Sequence, residues 1–281
     1  MKKISNSVLA GSIISLLIFF CSPARGQSDK KVIEKYLGEL PSLKDDKKLC
    51  KYRMTAVYTN RDLYGNFTGK TKVTGDYTRG LEDGTVFWKN VYISGSDRLS
   101  DPFPEGTRQE YMENYRYTPS PEMLNPNAYK NFPAGVETVL AKNLIWDMMS
   151  IELFAWDYKD SLKVGRIYII PEIKGEFSMA DIGTYSHNEI QLCWTGISVK
   201  NNELCGIIEF RALDNKIELD VDPIKTRGTE QYWGTIWISL TTGLIEYSEM
   251  YGGTIQEIEI TGMENKILAK TIRELWVDKI K

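Results

Sequence analysis

From residue 188 to its end the chain is a succession of short alternating segments, and this alone excludes most folds. Apolar and polar residues trade places with a period of two over 188–199, 204–212, 216–222, 230–240, 244–251, 253–261 and 267–277. That is the period of a half-buried strand, not of a helix. Turn-forming residues separate the segments: Asn201-Asn202, Asp214-Asn215, Thr242-Gly243, Gly252-Gly253 and Gly262. Connections this short cannot hold a crossover, so neighbours in sequence pair antiparallel. The last segment, 267–277, also has a helical reading; the strand reading is preferred.

The first half repeats the pattern and then breaks it. Residues 51–60 alternate Tyr52, Met54, Ala56 and Tyr58 against polar neighbours, 67–79 are rich in Thr and Val, and 85–94 follow a turn at Glu82-Asp83-Gly84. Six of the ten prolines (Pro102, Pro104, Pro119, Pro121, Pro126 and Pro133) then fall within 97–135. Proline lacks the ladder donor, so this stretch is no central strand and reads as a surface excursion or a lid. Residues 136–158 predict one long helix, apolar nearly all round: Val139, Leu140, Leu144, Ile145, Met148, Met149, Ile151, Leu153, Phe154 and Trp156. Such a helix is buried on most sides. The expected fold class is therefore α+β and mostly antiparallel, a strongly curved, half-barrel-like sheet packed on one long buried helix.

The N-terminus predicts export. Met1-Lys2-Lys3 is basic, 8–20 are apolar, and Ser22-Pro23-Ala24-Arg25-Gly26 supplies the small residues of a cleavage site, giving a signal peptide over 1–26. Cleavage after Gly26 is preferred to acylation at Cys21, because Ile18-Phe19-Phe20 is too bulky for a lipoprotein signal. The apolar run is shorter than the ~20 residues of a membrane span, and no later segment qualifies. Export places the protein in the periplasm, or at the surface or outside, of a Gram-negative bacterium. The rest, 27–281, is expected as a single β-rich domain opening with a short helix at 28–40, with a helical and proline-rich insertion at about 97–160. Losing Lys2, Lys3 and Arg25 leaves 32 of 35 basic residues against 38 acidic ones, a net charge of −6, which argues against nucleic acid.

Cys50, Cys193 and Cys205 remain after cleavage. In the hairpin 190–199/204–212 a three-residue loop sets Cys193 opposite Arg211, about 20 Å from Cys205, and a two-residue loop puts the thiols on opposite faces. Neither register bonds them. With His187 as the only histidine there is no zinc module, and no phosphate loop, dinucleotide fingerprint or nucleophile elbow is present. His187 reads as a loop residue. No catalytic residue, metal or cofactor is expected.

Phe87-Trp88-Lys89-Asn90-Val91-Tyr92-Ile93-Ser94 matches Tyr232-Trp233-Gly234-Thr235-Ile236-Trp237-Ile238-Ser239 position by position. Pseudo-repeat halves at 50–96 and 188–261 are one reading; convergence of similarly buried strands is the preferred one. Alternation puts Tyr232, Gly234, Ile236, Ile238 and Leu240 on one face and Trp233, Thr235, Trp237 and Ser239 on the other. It puts Trp88, Asn90, Tyr92 and Ser94 in front of Phe87, Val91 and Ile93. Trp88, Tyr92, Trp233 and Trp237 could stack sugar rings or line a lipid cavity, or they could pack as core. On the helix, Met148, Met149 and Trp156 suit an irregular apolar ligand. Glu152 interrupts the apolar run and needs a buried partner, an arginine from a strand being the natural one. Asp147, five residues away and about 140° round the axis, cannot join it as a catalytic pair.

Three stretches resemble a group of uncharacterised exported bacterial proteins known mainly from genome sequences. They are Val73-Thr74-Gly75-Asp76-Tyr77-Thr78-Arg79-Gly80 with Trp88-Lys89-Asn90-Val91, the segment 232–240 with 245–251, and Ala141-Lys142-Asn143-Leu144-Ile145-Trp146-Asp147-Met148. The cleavage site is similar to those of Bacteroidota. The resemblance implies export and no particular activity. At the level of fold alone, many antiparallel strands around one helix look like the LolA-type half-barrel carriers. The function expected is an exported binding protein, for a lipid or other apolar ligand. The alternatives are a glycan-binding surface module and a carboxylate-based hydrolase or lyase.

Overall fold

The computed structural model describes Lys35 and residues 48–280; the expected signal peptide and its cleavage site lie outside the described residues, as does the helix expected at 28–40 apart from Lys35, which is helical. Thirteen strands make one open antiparallel sheet. They are β1 (Cys50–Asp62), β2 (Phe67–Arg79), β3 (Val86–Ser96), β4 (Thr107–Arg108), β5 (Tyr115–Tyr117), β6 (Ile167–Ile169), β7 (Gly175–Ser178), β8 (Gly183–His187), β9 (Glu189–Lys200), β10 (Glu203–Val221), β11 (Ile224–Ser239), β12 (Ile245–Ile260) and β13 (Ile267–Ile280). The order is β4-β3-β2-β1-β13-β12-β11-β10-β8-β7, with β9 also on β10, β6 on β9 and β5 on β3. One α-helix stands among the described residues, α1 (Val136–Trp156). The segment 267–277 is thus a strand, and it joins the two halves of the sheet by pairing with both β1 and β12.

Several predicted turns are continuous strand. Segments 204–212 and 216–222 are both β10, bent by a bulge between Ala212 and Asn215 where Asp214 takes φ 54°. Gly252-Gly253 lies inside β12: a Cβ on Gly252 would sit 3.2 Å from both Gln231 O and Tyr232 Cβ, so glycine here lets the partner strand approach closely. The three short strands β6 to β8 carry too few residues for a readable alternation. The β9–β10 turn has two residues, Asn201 and Asn202 at φ 52° and 64°, and pairs Lys200 with Glu203. That sets Cys193 opposite Glu209, rather than Arg211 as a longer loop would, and Cys205 opposite Ser198. Cys50, Cys193 and Cys205 are free thiols.

One face of the sheet is apolar and carries the core. Tyr52, Met54, Ala56, Val73, Leu192, Ile208, Phe210, Ile236, Leu275 and Val277 all lie on it, buried. The helix rests there by specific contacts. Tyr77 Oη donates to Glu152 Oε1 at 2.9 Å and Arg79 Nε stands 3.5 Å from the same oxygen, supplying the strand arginine that the sequence called for. Asp147 pairs with Arg273 of β13, and Lys142 Nζ reaches Asp181 at 2.6 Å. The Phe154 ring lies 5.2 Å from that of Phe210 on β10, and Trp156 Nε1 donates to Gly243 O at 2.9 Å. Two residues apart, Glu152 and Phe154 therefore touch strands that stand far apart in the sheet order.

The proline-rich stretch is more than a surface excursion. Short 3-10 turns at Glu110–Met112, Pro121–Leu124 and Pro126–Tyr129 deliver Met112, Met123 and Tyr129 into the core, and β5 adds Tyr117. Trp146 Nε1 of α1 donates to Met123 O at 3.0 Å, tying this segment to the helix.

Gly234 is held tightly. A Cβ there would collide with Glu249 O and with the Phe210 ring. Gly234→Ala is expected to lower stability by about 1–3 kcal/mol through overpacking. Chemical denaturation of the variant checks this, and an unchanged midpoint would contradict it.

Candidate functional site

Where the eight candidate side chains point decides what they can do. In β3 the alternation slips: Asn90 takes φ 52°, and the ladder with β2 shifts between Thr74 and Asp76, so Asn90 and Val91 together oppose Gly75. Trp88 therefore lies on the same side as Val91 and Ile93, not in front of them. It is fully buried, packs 5.1 Å from Tyr77, donates from Nε1 to Tyr117 Oη at 3.3 Å, and is core rather than platform. The matching Trp233 faces the other side and is 48% exposed, so the paired octapeptides do not present equivalent tryptophans.

Trp88, Glu152 and Trp156 meet through Tyr77 and Arg79, whose guanidinium lies 3.8 Å over the Trp156 ring. Burial pushes the Tyr77 hydroxyl far above the usual phenol range, and the neighbouring Glu152 charge adds to this, so it serves as a donor only. Met148 is fully buried beside them; Met149 and Trp156 are partly exposed. This group is a packed, hydrogen-bonded seam between helix and sheet.

On the opposite face of β10 to β13, around Glu249, the side chains are exposed or only partly buried among the described residues. The ladder places Trp237 beside Tyr247 and Trp233 between Arg211 and Tyr251, with Thr235 and Glu249 in the row between, and Trp276 next to Glu249. The Trp237 and Tyr247 rings are 5.2 Å apart, and Lys200 Nζ sits 3.4 Å over Tyr247. Tyr247 and Tyr251 both donate to Glu249 Oε2, at 3.1 and 3.5 Å. Burial, then the Glu249 charge, raises both phenols, so they stay protonated donors. Three tryptophans and two tyrosines thus surround one carboxylate, with Lys200 and Arg211 at the margin. Tyr92 shares this side but stands on β3, opposite Thr74 and Arg108, apart from the group.

Sequence reading found Trp233 and Trp237 but missed Tyr247, Tyr251, Trp276, Lys200, Arg211 and Glu249. The turn at Thr242-Gly243 carried the signal for Tyr247, since a tight hairpin there sets 237 opposite 247. Trp276 needed the β12–β13 register, which no single-strand pattern gives.

Among the described residues no set of three or more His, Cys, Asp or Glu could hold a metal ion, and no helix is long and apolar enough to cross a membrane. His187 ends strand β8 rather than lying in a loop.

No family model matches the sequence, and no curated protein matches it. Among solved structures, one reported for lipid–protein interactions in lipovitellin is similar at TM-score 0.44 and 12% identity, over 83% of this chain and 25% of that one. This chain thus spans about a quarter of that protein. A DUF1329 family protein from Desulfovibrio piger is similar at TM-score 0.13 and 9% identity, over 92% and 93% of the two chains. Both scores are too low to bear on what this chain binds.

Proposed function

We propose that this chain is an exported binding protein that takes glycans on the partly exposed aromatic face of β10 to β13. The observation that supports this most is Trp233, 48% exposed in the middle of a strand whose other face is core. An exposed tryptophan flanked in the same sheet by Tyr251, Trp237, Tyr247 and Trp276 is more apolar surface than a face without a partner normally shows. Flat rings with interleaved Thr235, Glu249, Lys200 and Arg211 suit a pyranose, whose faces are apolar and whose rim is hydroxyl. The hydrophobic core is the scaffold in this reading: a sheet curled round α1, as a half-barrel, holds the outer face rigid.

The signal-peptide pattern of residues 1–26 supports delivery to the periplasm or the cell surface, where polysaccharide is available. Native electrophoresis of the mature chain through gels containing soluble polysaccharides (mannan, xylan, dextran) tests the reading. At least one polymer is expected to retard the protein. Trp233→Ala is expected to abolish retardation while moving stability by no more than about 0.5 kcal/mol, as a surface substitution does. Absence of retardation in every polymer, or a large loss of stability in the variant, would overturn it.

A second reading, an apolar ligand, has one observation in its favour. Met149, Leu153 and Trp156 of α1 are only partly buried and lie within about 60° of one another round the axis, a greasy stripe along one side of the helix. Native mass spectrometry of protein taken from cells distinguishes it: a retained lipid that Met149→Asp releases would favour the stripe over the outer face.

A further inference from the structure

The core-facing side of the sheet does not stay apolar. Toward the β8 edge it turns polar: Tyr185 and His187 on β8, Asn215 on β10, Glu230 on β11 and Thr254 on β12 converge there. Tyr185 Oη donates to Glu230 Oε2 at 2.5 Å, and Thr254 Oγ1 donates to Glu230 Oε1 at 3.4 Å. Asn215 Oδ1 lies 3.3 Å from His187 Nδ1; in the tautomer with its proton on Nδ1, His187 donates to that oxygen and Nε2 is an acceptor. The Asn215 side chain is fully buried, and its Nδ2 has no hydrogen-bond partner. Buried amides are rarely left so, and one that is calls for an explanation. Tyr185, His187 and Glu230 are only partly buried and form the rim of the cluster, with Asn215 fully buried beneath them.

We propose that this cluster binds one neutral sugar ring. Each alternative ligand class fails on a group already in place. An anion would face the Glu230 carboxylate. An apolar molecule would strip water from Glu230 and give Asn215 Nδ2 nothing. A cation would gain from Glu230 but leave the Asn215 Nδ2 donor still unmatched. A hydroxyl both donates and accepts, so adjacent hydroxyls can take Asn215 Nδ2 as donor and His187 Nε2 or Glu230 as acceptor. The walls suit a ring with apolar faces: His187 lies 4.8 Å from Tyr185, 5.7 Å from Phe177 and 6.5 Å from Tyr232, ring centre to ring centre. Burial pushes the His187 pKa down to about 4, which keeps the imidazole an acceptor at neutral pH. The site is on the opposite side of the sheet from Trp233 and does not depend on that face binding anything.

His187 is the only histidine in the chain, so its imidazole signals are unambiguous in a nitrogen-15 spectrum. The mature protein is titrated with glucose, galactose, mannose and N-acetylglucosamine to about 50 mM, above the millimolar dissociation constants of a weak single-ring ligand. At least one sugar is expected to shift the His187 resonances saturably. Glu230→Gln, which keeps an acceptor for Tyr185, is expected to weaken that response about tenfold or more, and Trp233→Ala to leave it unchanged. Tyr185→Phe gives an independent reading if Glu230→Gln does not fold. No saturable shift with any of the four sugars would overturn the proposal, as would an unaltered response in both site variants. A response lost in Trp233→Ala alone would assign binding to the outer face instead.

Discussion

Trp88→Ala is expected to cost about 3–5 kcal/mol, among the largest losses any single truncation can produce here. The indole is fully buried and packs against Tyr77 at a 48° tilt, and its Nε1 donates to Tyr117 Oη. It also lies across Gly75, where a Cβ would already come within 3.1 Å of the ring. Removing it leaves a cavity between β2, β3 and β5 that rigid sheet backbone cannot close, and the Tyr117 hydroxyl loses its donor. For a domain of this size each kcal/mol moves the melting point by ~2–4 °C, so a fall of roughly 10 °C is the expected reading. A loss below about 1 kcal/mol would mean that the bulge at Asn90 does not turn Trp88 inward. The comparison with Trp233→Ala is then direct: two tryptophans in matching octapeptides, one costly to remove and one nearly free.

The second large effect concerns the ion pair between Asp147 on α1 and Arg273 on β13. The two side chains are 13% and 12% exposed, so each depends on the other for most of its solvation. Asp147→Ala alone, or Arg273→Ala alone, is expected to destabilise by about 3–5 kcal/mol, because each leaves a largely buried charge uncompensated. Replacing both, as Asp147→Leu with Arg273→Met, is expected to return most of that loss. The pair's own attraction only roughly offsets the cost of removing two charges from water. A double-mutant cycle by urea denaturation measures the coupling directly. Additive single and double effects would show that the pair does not hold the helix to the sheet.

Much of this was legible beforehand, and the failures have identifiable physical causes. Alternation over 51–60, 67–79 and 188–277 depends only on which face is apolar, and the sheet follows it. The helix at α1 declared itself by a run of apolar residues too long for a strand. The need of Glu152 for an arginine followed from desolvation, and Arg79 meets it. What could not be read was whatever depends on a partner strand. The slip at Asn90 inverted the side on which Trp88 stands, because a bulge is a relation between two strands and leaves no mark on the period of one. The glycines at 252 and 253 read as a turn because glycine serves both tight turns and close packing, and only the partner strand at Gln231 and Tyr232, across from Gly252, decides between them. The His187 cluster was invisible for the same reason: its members come from four strands, and β8 was too short to be seen at all.

The pairing of β13 with β1 has a consequence for the order of events during synthesis. Thr271 Oγ1 donates to Asn60 Oδ1 across 211 residues of chain, and Lys51 stands opposite Ile280. The β1–β2 hairpin therefore has one ladder edge that is filled only by a strand about 211 residues further along the chain. Contacts of such long range are slow to form, and until they form the edges of β1 and β12 are both open to other chains. A chain truncated after Gly262 is expected to lose more than one strand: with nothing to bridge β1 to β12, the sheet becomes two unconnected pieces with adhesive edges. A single fourteen-residue strand thus holds the middle of the sheet together.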